Sequence, residues 1–303
     1  MARRYDLRPV PGPTPLAADE IIARCAGADV LCPTFSDSVP GALITRLPQT
    51  VRLIASYGVG TNHIDLEAAR ARGITVTNTP DVVTIDTADL AMGLIIAAQR
   101  RFVEGDRLAR SGRWQGPTLD NLLGRRVTGR TLGIVGLGRI GRAVARRARA
   151  FEMPLIYHGR HRNEAAEYEL GARFCPTLAE LLETADVVTL HCPYDRTTHH
   201  LIDAAALCAM KADAVLINTA RGPLVDERAL VEALAAGEIA GAGLDVYEFE
   251  PALARGLGDL PNVVLLPHVG TATGEAREAM GHRVITNIDA FMASGHAPDA
   301  VVS

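Results

Sequence analysis

Residues 131–151 read TLGIVGLGRIGRAVARRARAF, an apolar run that breaks at a glycine-rich turn and resumes as an Ala/Val/Arg helical pattern. No other stretch constrains the fold as strongly. The turn is Gly136-Leu137-Gly138-Arg139-Ile140-Gly141. Gly136 is expected to permit the tight bend, Gly138 to let backbone approach a pyrophosphate, and Gly141 to let helix and strand pack closely. Phosphates settle on such a helix N-terminus because its N–H groups are free and its dipole favours anions. A strand–turn–helix of this kind belongs to a parallel sheet covered by helices on both faces.

The rest of the chain agrees. Candidate strands are ADVLCPT near 30, RLIAS near 53, ITVTN near 75, LGIVG near 133, PLIYHG near 156, VVTLHC near 188, AVLINT near 216, AGLDV near 243 and NVVLLP near 264. Most are continuous apolar runs, as buried parallel strands are. Three precede residue 80 and six follow 130, with one long helical pattern over 84–112 between them. Leu90, Leu94, Ala97 and Ala98 are its expected packed stripe, and Arg100, Arg101 and Arg107 its wetter side. The last helical stretch, from Gly274, has no sheet to complete and is placed back on the first domain. The expected fold is α/β with two doubly wound parallel-sheet domains. A Rossmann dinucleotide-binding domain (92–274) is inserted in a smaller flavodoxin-like substrate domain (1–91 and 275–303).

The strand after the glycine loop selects the dinucleotide. An NAD site ends this strand with an acid that accepts the ribose hydroxyls. Here the acid's place falls on Gly159, followed by Arg160, His161 and Arg162. A small residue followed by guanidinium groups suits a 2′-phosphate, so NADP(H) is expected and NAD(H) is less favoured. Arg139 sits in the turn and can meet the cofactor, whereas Arg142, Arg146 and Arg149 follow helical spacing and read as a solvated stripe.

Hydride transfer to a 2-keto acid needs a cation for the carboxylate and carbonyl, an acid for the new alkoxide, and a group that tunes that acid. Arg221 in LINTARGPLVDE, His268 in VVLLPHVGTAT, and Glu248 or Glu250 in AGLDVYEFEP each follow a strand, where ligands of open α/β sheets bind.

With SYGVGTNHIDLEAARARGITVTNTP and GIVGLGRIG, these segments resemble the D-isomer-specific 2-hydroxyacid dehydrogenases over nearly the whole chain. The missing acid and the GRHR loop look most like the NADPH-dependent glyoxylate/hydroxypyruvate reductases. The resemblance implies that Arg221 binds substrate, that His268 is the general acid/base, and that Glu250, the acid immediately before proline, is its partner. It further implies that the amides of Val59 and Gly60 bind the substrate carboxylate and that Asp245 holds the nicotinamide carboxamide. Cys192-Pro193 and Thr219-Ala220 would line the cofactor. The other histidines (His63, His158, His191, His199 and His200) read as satisfied polar groups, and so does Trp114, on a loop that in this family can reach the substrate pocket.

Two features depart from the family. About one β–α unit that normally precedes a segment like YDLRPV is expected to be missing, through either a misplaced start or a truncated domain, and GRWQGPTL lacks a second aromatic after Trp114. Glu250 argues against formate dehydrogenase, in which a glutamine stands beside the histidine, and no regulatory extension of the long phosphoglycerate type is seen. The alternatives are a corepressor-like dinucleotide-binding regulator of the same fold and a dehydrogenase for a bulkier 2-keto acid.

The 303 residues carry a net charge of −4, too little positive charge for a nucleic-acid partner. The five cysteines show no C-x-x-C spacing, so neither a disulfide framework nor a metal site is expected. No signal peptide or spanning apolar run is evident. The expected protein is cytoplasmic and acts on a small 2-keto or 2-hydroxy acid. The segment around the long helix resembles the family's dimer-forming element and implies a homodimer.

Overall fold

The structure, a computed structural model, describes residues 5–10, 16–117, 119 and 122–303. It divides into two compact units, one formed by Met1–Val83 with Ala272–Ser303 and the other by Thr84–Thr271.

The smaller unit holds helices α1 (Ala18–Arg24), α2 (Gly41–Ile44) and α3 (Leu66–Ala71) and strands β1 (Val30–Leu31), β2 (Leu53–Ala55) and β3 (Thr75–Thr77). The three strands are parallel, in the order β1-β2-β3. Ile44, Ile54, Leu43 and Val76 build the core on one face of the sheet, and a second cluster joins Leu53 and Ala55 to Val284, Ile288 and Phe291 of the last helix. That helix belongs to this unit. It is followed, however, by a strand at Ala300–Val302 that pairs antiparallel with β3 and completes a four-stranded sheet. The sheet is therefore mixed at one edge. Its sequence gives little sign of a strand, because it is only three residues long and only Val302 is buried.

The larger unit opens with α4 (Thr84–Gln99) and α5 (Phe102–Arg110). One continuous helix was expected here. Arg101 adopts φ 55°, a left-handed conformation that ends α4 before α5 begins. The buried stripe of α4 is Thr87, Ala88, Ala91, Met92, Leu94, Ile95 and Gln99; of the expected stripe only Leu94 belongs to it. Leu90, Ala97 and Ala98 are half-buried at its margins.

The seven strands that follow are β4 (Leu132–Val135), β5 (Leu155–His158), β6 (Ala172–Phe174), β7 (Val187–Leu190), β8 (Val215–Asn218), β9 (Gly241–Leu244) and β10 (Val263–Leu265). They are all parallel, in the order β10-β9-β8-β7-β4-β5-β6. Six were expected. β6 escaped notice because Ala172 is buried while Arg173 is exposed, which spoils the apolar run at this sheet edge. β4, β7, β8 and β9 are buried at every position, as their continuous apolar sequences require.

Helices α6 (Arg139–Arg149) and α7 (Glu164–Leu170) join α4 on one face of this sheet, while α8 (Leu178–Thr184), α9 (Ala204–Ala209) and α10 (Glu227–Ala236) cover the other. Polar side chains start several of them. Asn163, Thr177, Asp203 and Asp226 each accept an N–H from the first turn of the helix they precede. A cap of this type contributes about 1 kcal/mol. β4 lies between β5 and β7, and the strand order reverses there; such a switch point opens a crevice beyond the carboxyl ends of the strands. No helix among the described residues is long and apolar enough to cross a membrane.

Candidate active site

The glycine turn leaves β4 as its sequence demands. Gly136 has φ 97°, and a Cβ there would lie 2.7 Å from the amide nitrogen of Cys192, so both conformation and space exclude a side chain. A Cβ on Gly141 would come within 2.2 Å of the Gly136 carbonyl oxygen. Gly138 has the opposite environment: nothing lies within 4 Å of the position a Cβ would take. That open cradle sits at the N-cap of α6, and Arg139, exposed, is the helix's first residue. Ile140, half-buried, packs against the core on the α4 face, as does Leu137. A dinucleotide pyrophosphate fits this arrangement of open backbone and helix N-terminus.

Beyond β5, Gly159 has open space and the side chain of Arg160 is 70% exposed, with Asp195 at 3.7 Å. His161 is exposed. Arg162 donates twice to Glu167, at 2.9 Å from both Nε and Nη2, and the Tyr157 hydroxyl donates to the same carboxylate at 2.6 Å. These bonds hold the Glu167 carboxyl below its usual range, the bond from Arg162 acting most strongly. Arg142 and Arg146 pair with Glu169 of α7, and Arg149 donates to its carbonyl. The arginine stripe on α6 is thus a surface network between two helices.

Residues after β7, β8, β9 and β10 assemble along one edge of the sheet. Cys192 and Pro193 follow β7, and burial pushes the Cys192 thiol up to about 11. Thr219 and Ala220 follow β8; the Thr219 hydroxyl is buried with no hydrogen-bond partner among the described residues. An unsatisfied hydroxyl there is suited to a ligand amide or hydroxyl. Arg221 comes next in extended backbone, its carbonyl accepting from Asn218 Nδ2 at 2.9 Å and its Nη1 donating to the Ala220 carbonyl at 2.5 Å. Burial pulls the pKa of Arg221 down while the charge of Glu250 opposes it. The guanidinium still remains charged. Gly222 lets this turn touch the following loop: a Cβ would stand 1.8 Å from the Tyr247 carbonyl carbon.

Asp245, 1% exposed after β9, accepts the N–H of Val269 at 2.7 Å and of Gly270 at 2.8 Å. Burial raises its pKa, opposed by those two donors. His268 N–H donates to the Asp245 carbonyl at 2.9 Å, so Asp245 fixes the turn in which His268 takes φ 53°. That turn presents Nδ1 of His268 to Glu250 Oε2 at 2.8 Å, with the two side chains 33% and 35% exposed. The second carboxylate oxygen of Glu250 accepts from Tyr247 N–H at 3.0 Å. Burial pushes Glu250 up, but the His268 bond, the Tyr247 N–H and the charges of His268 and Arg221 prevail and hold it below the usual carboxylate range. Sequence composition left Glu248 and Glu250 as rivals; the structure puts Glu250 on His268 and Glu248 on His200, at 2.7 Å from His200 Nε2.

Val59 and Gly60 lie in the smaller unit, on the loop after β2, where Asn78 Nδ2 donates to the Val59 carbonyl at 2.8 Å. Sequence reasoning missed Glu227. This glutamate, 2% exposed at the start of α10, accepts from Glu248 N–H at 2.7 Å and Ala254 N–H at 3.2 Å, and so clamps both ends of the loop carrying Glu250. Its only sequence signal is the Asp226 cap just before it, which reads as a helix start. Among the histidines read as bland, burial holds His191 down at about 3, and it is therefore neutral beside Thr189.

The family model for the D-isomer specific 2-hydroxyacid dehydrogenase NAD binding domain matches residues 92–270. A Staphylococcus aureus (strain USA300) protein, provisionally named a 2-hydroxyacid dehydrogenase, is 46% identical over 285 residues, covering 94% of this chain and 89% of its own. Among solved structures, the TT0316 protein of Thermus thermophilus is 45% identical with a TM-score of 0.89, covering 96% of this chain and 91% of that one. The NADPH-dependent glyoxylate/hydroxypyruvate reductase of Sinorhizobium meliloti, solved with NADP and malonate, is 38% identical with a TM-score of 0.86, over 94% and 87% of the two chains. The chain belongs to the D-isomer-specific 2-hydroxyacid dehydrogenases. It is an oxidoreductase with an NAD(P)-binding Rossmann domain.

Proposed function

We propose that this enzyme reduces a small 2-keto acid of the glyoxylate/hydroxypyruvate type to the D-2-hydroxy acid with NADPH. The observation that carries the reading is the 2.8 Å contact between His268 Nδ1 and Glu250 Oε2, with the Arg221 charge acting on the same carboxylate. When bound, the nicotinamide supplies a hydride. The protein must supply the rest.

Arg221 holds the substrate carboxylate and polarises the carbonyl, with charge-assisted hydrogen bonds that strengthen as the oxygen becomes an alkoxide. His268 donates a proton from Nε2 to that oxygen. Glu250, accepting from Nδ1, fixes the ring and stabilises the imidazolium before transfer. Tyr247 N–H, Glu227 and Asp245 keep the two loops in place during this exchange. The amides of Val59 and Gly60 are assigned as further donors to the substrate carboxylate.

For the coenzyme, the cradle at Gly138 and the residues 136–141 would take the pyrophosphate. Cys192, Pro193, Thr219 and Ala220 would line the nicotinamide side. Each Asp245 oxygen keeps a lone pair beyond its bond to Val269 or Gly270, so it can still accept from the carboxamide. Gly159, Arg160, His161 and Arg162 would take the 2′-phosphate. The Sinorhizobium meliloti reductase, NADPH-dependent and 38% identical, supports this coenzyme and substrate class. Phe102 on α5 and Trp114 on the loop after it are 54% and 57% exposed, and we assign this surface to a homodimer contact.

The test is a panel of 2-keto acids scored by kcat/KM with both coenzymes. Glyoxylate or hydroxypyruvate with NADPH should lead the panel. Preference for a keto acid with a long or aromatic side chain would replace this substrate assignment, and no turnover with any of them would favour a regulatory protein of the same fold.

A further inference from the structure

Away from the acid/base pair, two histidines and a glutamate converge on the larger unit. We propose that His199, His200 and Glu248 form a binding site for a zinc-class divalent transition-metal ion, which clips the segment after β7 to the loop that carries Glu250. One ligand atom from each residue lies within 4.8 Å of the others. His199 and His200 lie in a turn, and their rings stack with centroids 3.9 Å apart and planes inclined by 22°. Within that turn His200 takes φ 50°, a left-handed conformation uncommon for a residue other than glycine.

Each ring already has a partner on Nδ1. His200 Nδ1 faces Asp226 Oδ2 at 3.9 Å, and His199 Nδ1 lies 3.4 Å from the Tyr194 hydroxyl. Outer groups that engage one ring nitrogen and leave the other for the ion are the usual support of histidine ligands. For His200 that other nitrogen is Nε2, which meets Glu248 Oε1 at 2.7 Å. The backbone beneath the ligands is fixed as well. His200 N–H donates to the Pro223 carbonyl at 2.9 Å, Ile202 N–H to the Leu224 carbonyl at 3.0 Å, and Glu248 N–H to buried Glu227 at 2.7 Å.

Zinc bonds to nitrogen and oxygen are about 2.0–2.2 Å, so tetrahedral ligand atoms stand roughly 3.4 Å apart. The present spacings, from 2.7 Å to at most 4.8 Å, bracket that value. Two imidazoles and one carboxylate select zinc, nickel, cobalt or copper over magnesium or calcium, which take all-oxygen sites. His199 is exposed, so solvent can complete the coordination. A hydrogen bond between His200 and Glu248 accounts for that pair; it does not account for the His199 ring stacked beside it. The ion would not replace the acid/base pair, because Glu250 faces His268. The inference does not depend on which keto acid is reduced.

The experiment is calorimetric titration of the metal-stripped full chain with Zn²⁺, and separately with Ni²⁺, alongside thermal melts. One ion should bind per chain, and saturating Zn²⁺ should raise Tm by several degrees, because binding is linked to folding. His199→Ala and Glu248→Gln should each weaken binding tenfold or more. Asp226→Asn, which keeps a capping side chain, should weaken it about tenfold. Replacing the exposed Cys32 and Cys208 by serine should leave binding intact. No binding by either ion up to millimolar concentration would overturn the proposal. So would binding that survives His199→Ala unchanged or disappears with the cysteines. His199 lies on the surface, so its variant folds and each outcome is decisive; the melt of the ion-free variant checks this directly.

Discussion

Arg160→Ala is expected to raise the KM for NADPH about tenfold while leaving that for NADH nearly unchanged. Among the described residues Arg160 pairs with Asp195 at 3.7 Å, with its side chain 70% exposed. Such a surface pair is worth about 0–1 kcal/mol, so redirecting the guanidinium to a 2′-phosphate costs little. A charge-assisted hydrogen bond contributes about 1.5–3 kcal/mol, and exposure favours the lower end. At about 1.4 kcal/mol per decade this is roughly a factor of ten. Arg162 differs, because two 2.9 Å bonds tie it to Glu167. Glu167→Gln should loosen that tie and lower the KM for NADPH, the opposite direction from Arg160→Ala. Initial rates with each coenzyme at low and high salt measure both effects, and added salt should weaken NADPH more than NADH. If the parent enzyme uses both coenzymes equally at low salt, or Arg160→Ala changes both KM values alike, the GRHR loop is not a phosphate site.

Arg221→Ala should lower kcat/KM for the keto acid by about 10²-fold or more with the Kd of NADPH unchanged; a collapse of coenzyme binding instead would reassign the residue. Gly222→Ala puts a Cβ within 1.8 Å of the Tyr247 carbonyl carbon, so the Arg221 turn and the Glu250 loop must separate. Melting should show a loss of about 1–3 kcal/mol or more, together with impaired turnover, whereas an unaltered Tm would mean that the two loops are not in contact. Asp186, whose side chain is 13% exposed, is pushed up by burial but held below the usual carboxylate range by Thr131 N–H, Lys211 and Arg130. Its stabilisation is therefore present above the unfolded carboxylate pKa of about 4 and is lost as pH falls through the lower folded value. Asp186→Asn should melt below the parent at neutral pH, by about 1–2 kcal/mol, with the gap closing in strong acid; a gap independent of pH would point to packing instead.

The glycine turn and its flanking strands were legible because they obey several local rules at once: an apolar run, φ-permissive glycines and a helix opening immediately after them. Elements that depend on context were not. Nothing local marks Arg101 as left-handed, so α4 and α5 read as one helix. β6 and the strand at Ala300–Val302 are three-residue edge strands, the first broken by exposed Arg173 and the second too short to stand out from the chain end. Composition offered Glu248 and Glu250 alike as the partner of His268; the resemblance pointed to Glu250 through the proline after it, and the turn after β9, clamped by Glu227, brings Glu250 to His268 and Glu248 to His200. The nearness of His199 and His200 to Glu248 was not legible for a related reason. Neither metal-motif spacing nor helical periodicity links them to Glu248, which reaches them only through the fold.

The central claim, that His268 held by Glu250 protonates the substrate oxygen, is tested most directly by His268→Gln in a single turnover of glyoxylate and NADPH. The account predicts that the rate of NADPH oxidation falls by about 10²–10⁴-fold while the Kd of NADPH, measured by fluorescence titration, stays within a factor of about two of the parent. A variant that oxidises bound NADPH within a few-fold of the parent rate would contradict it.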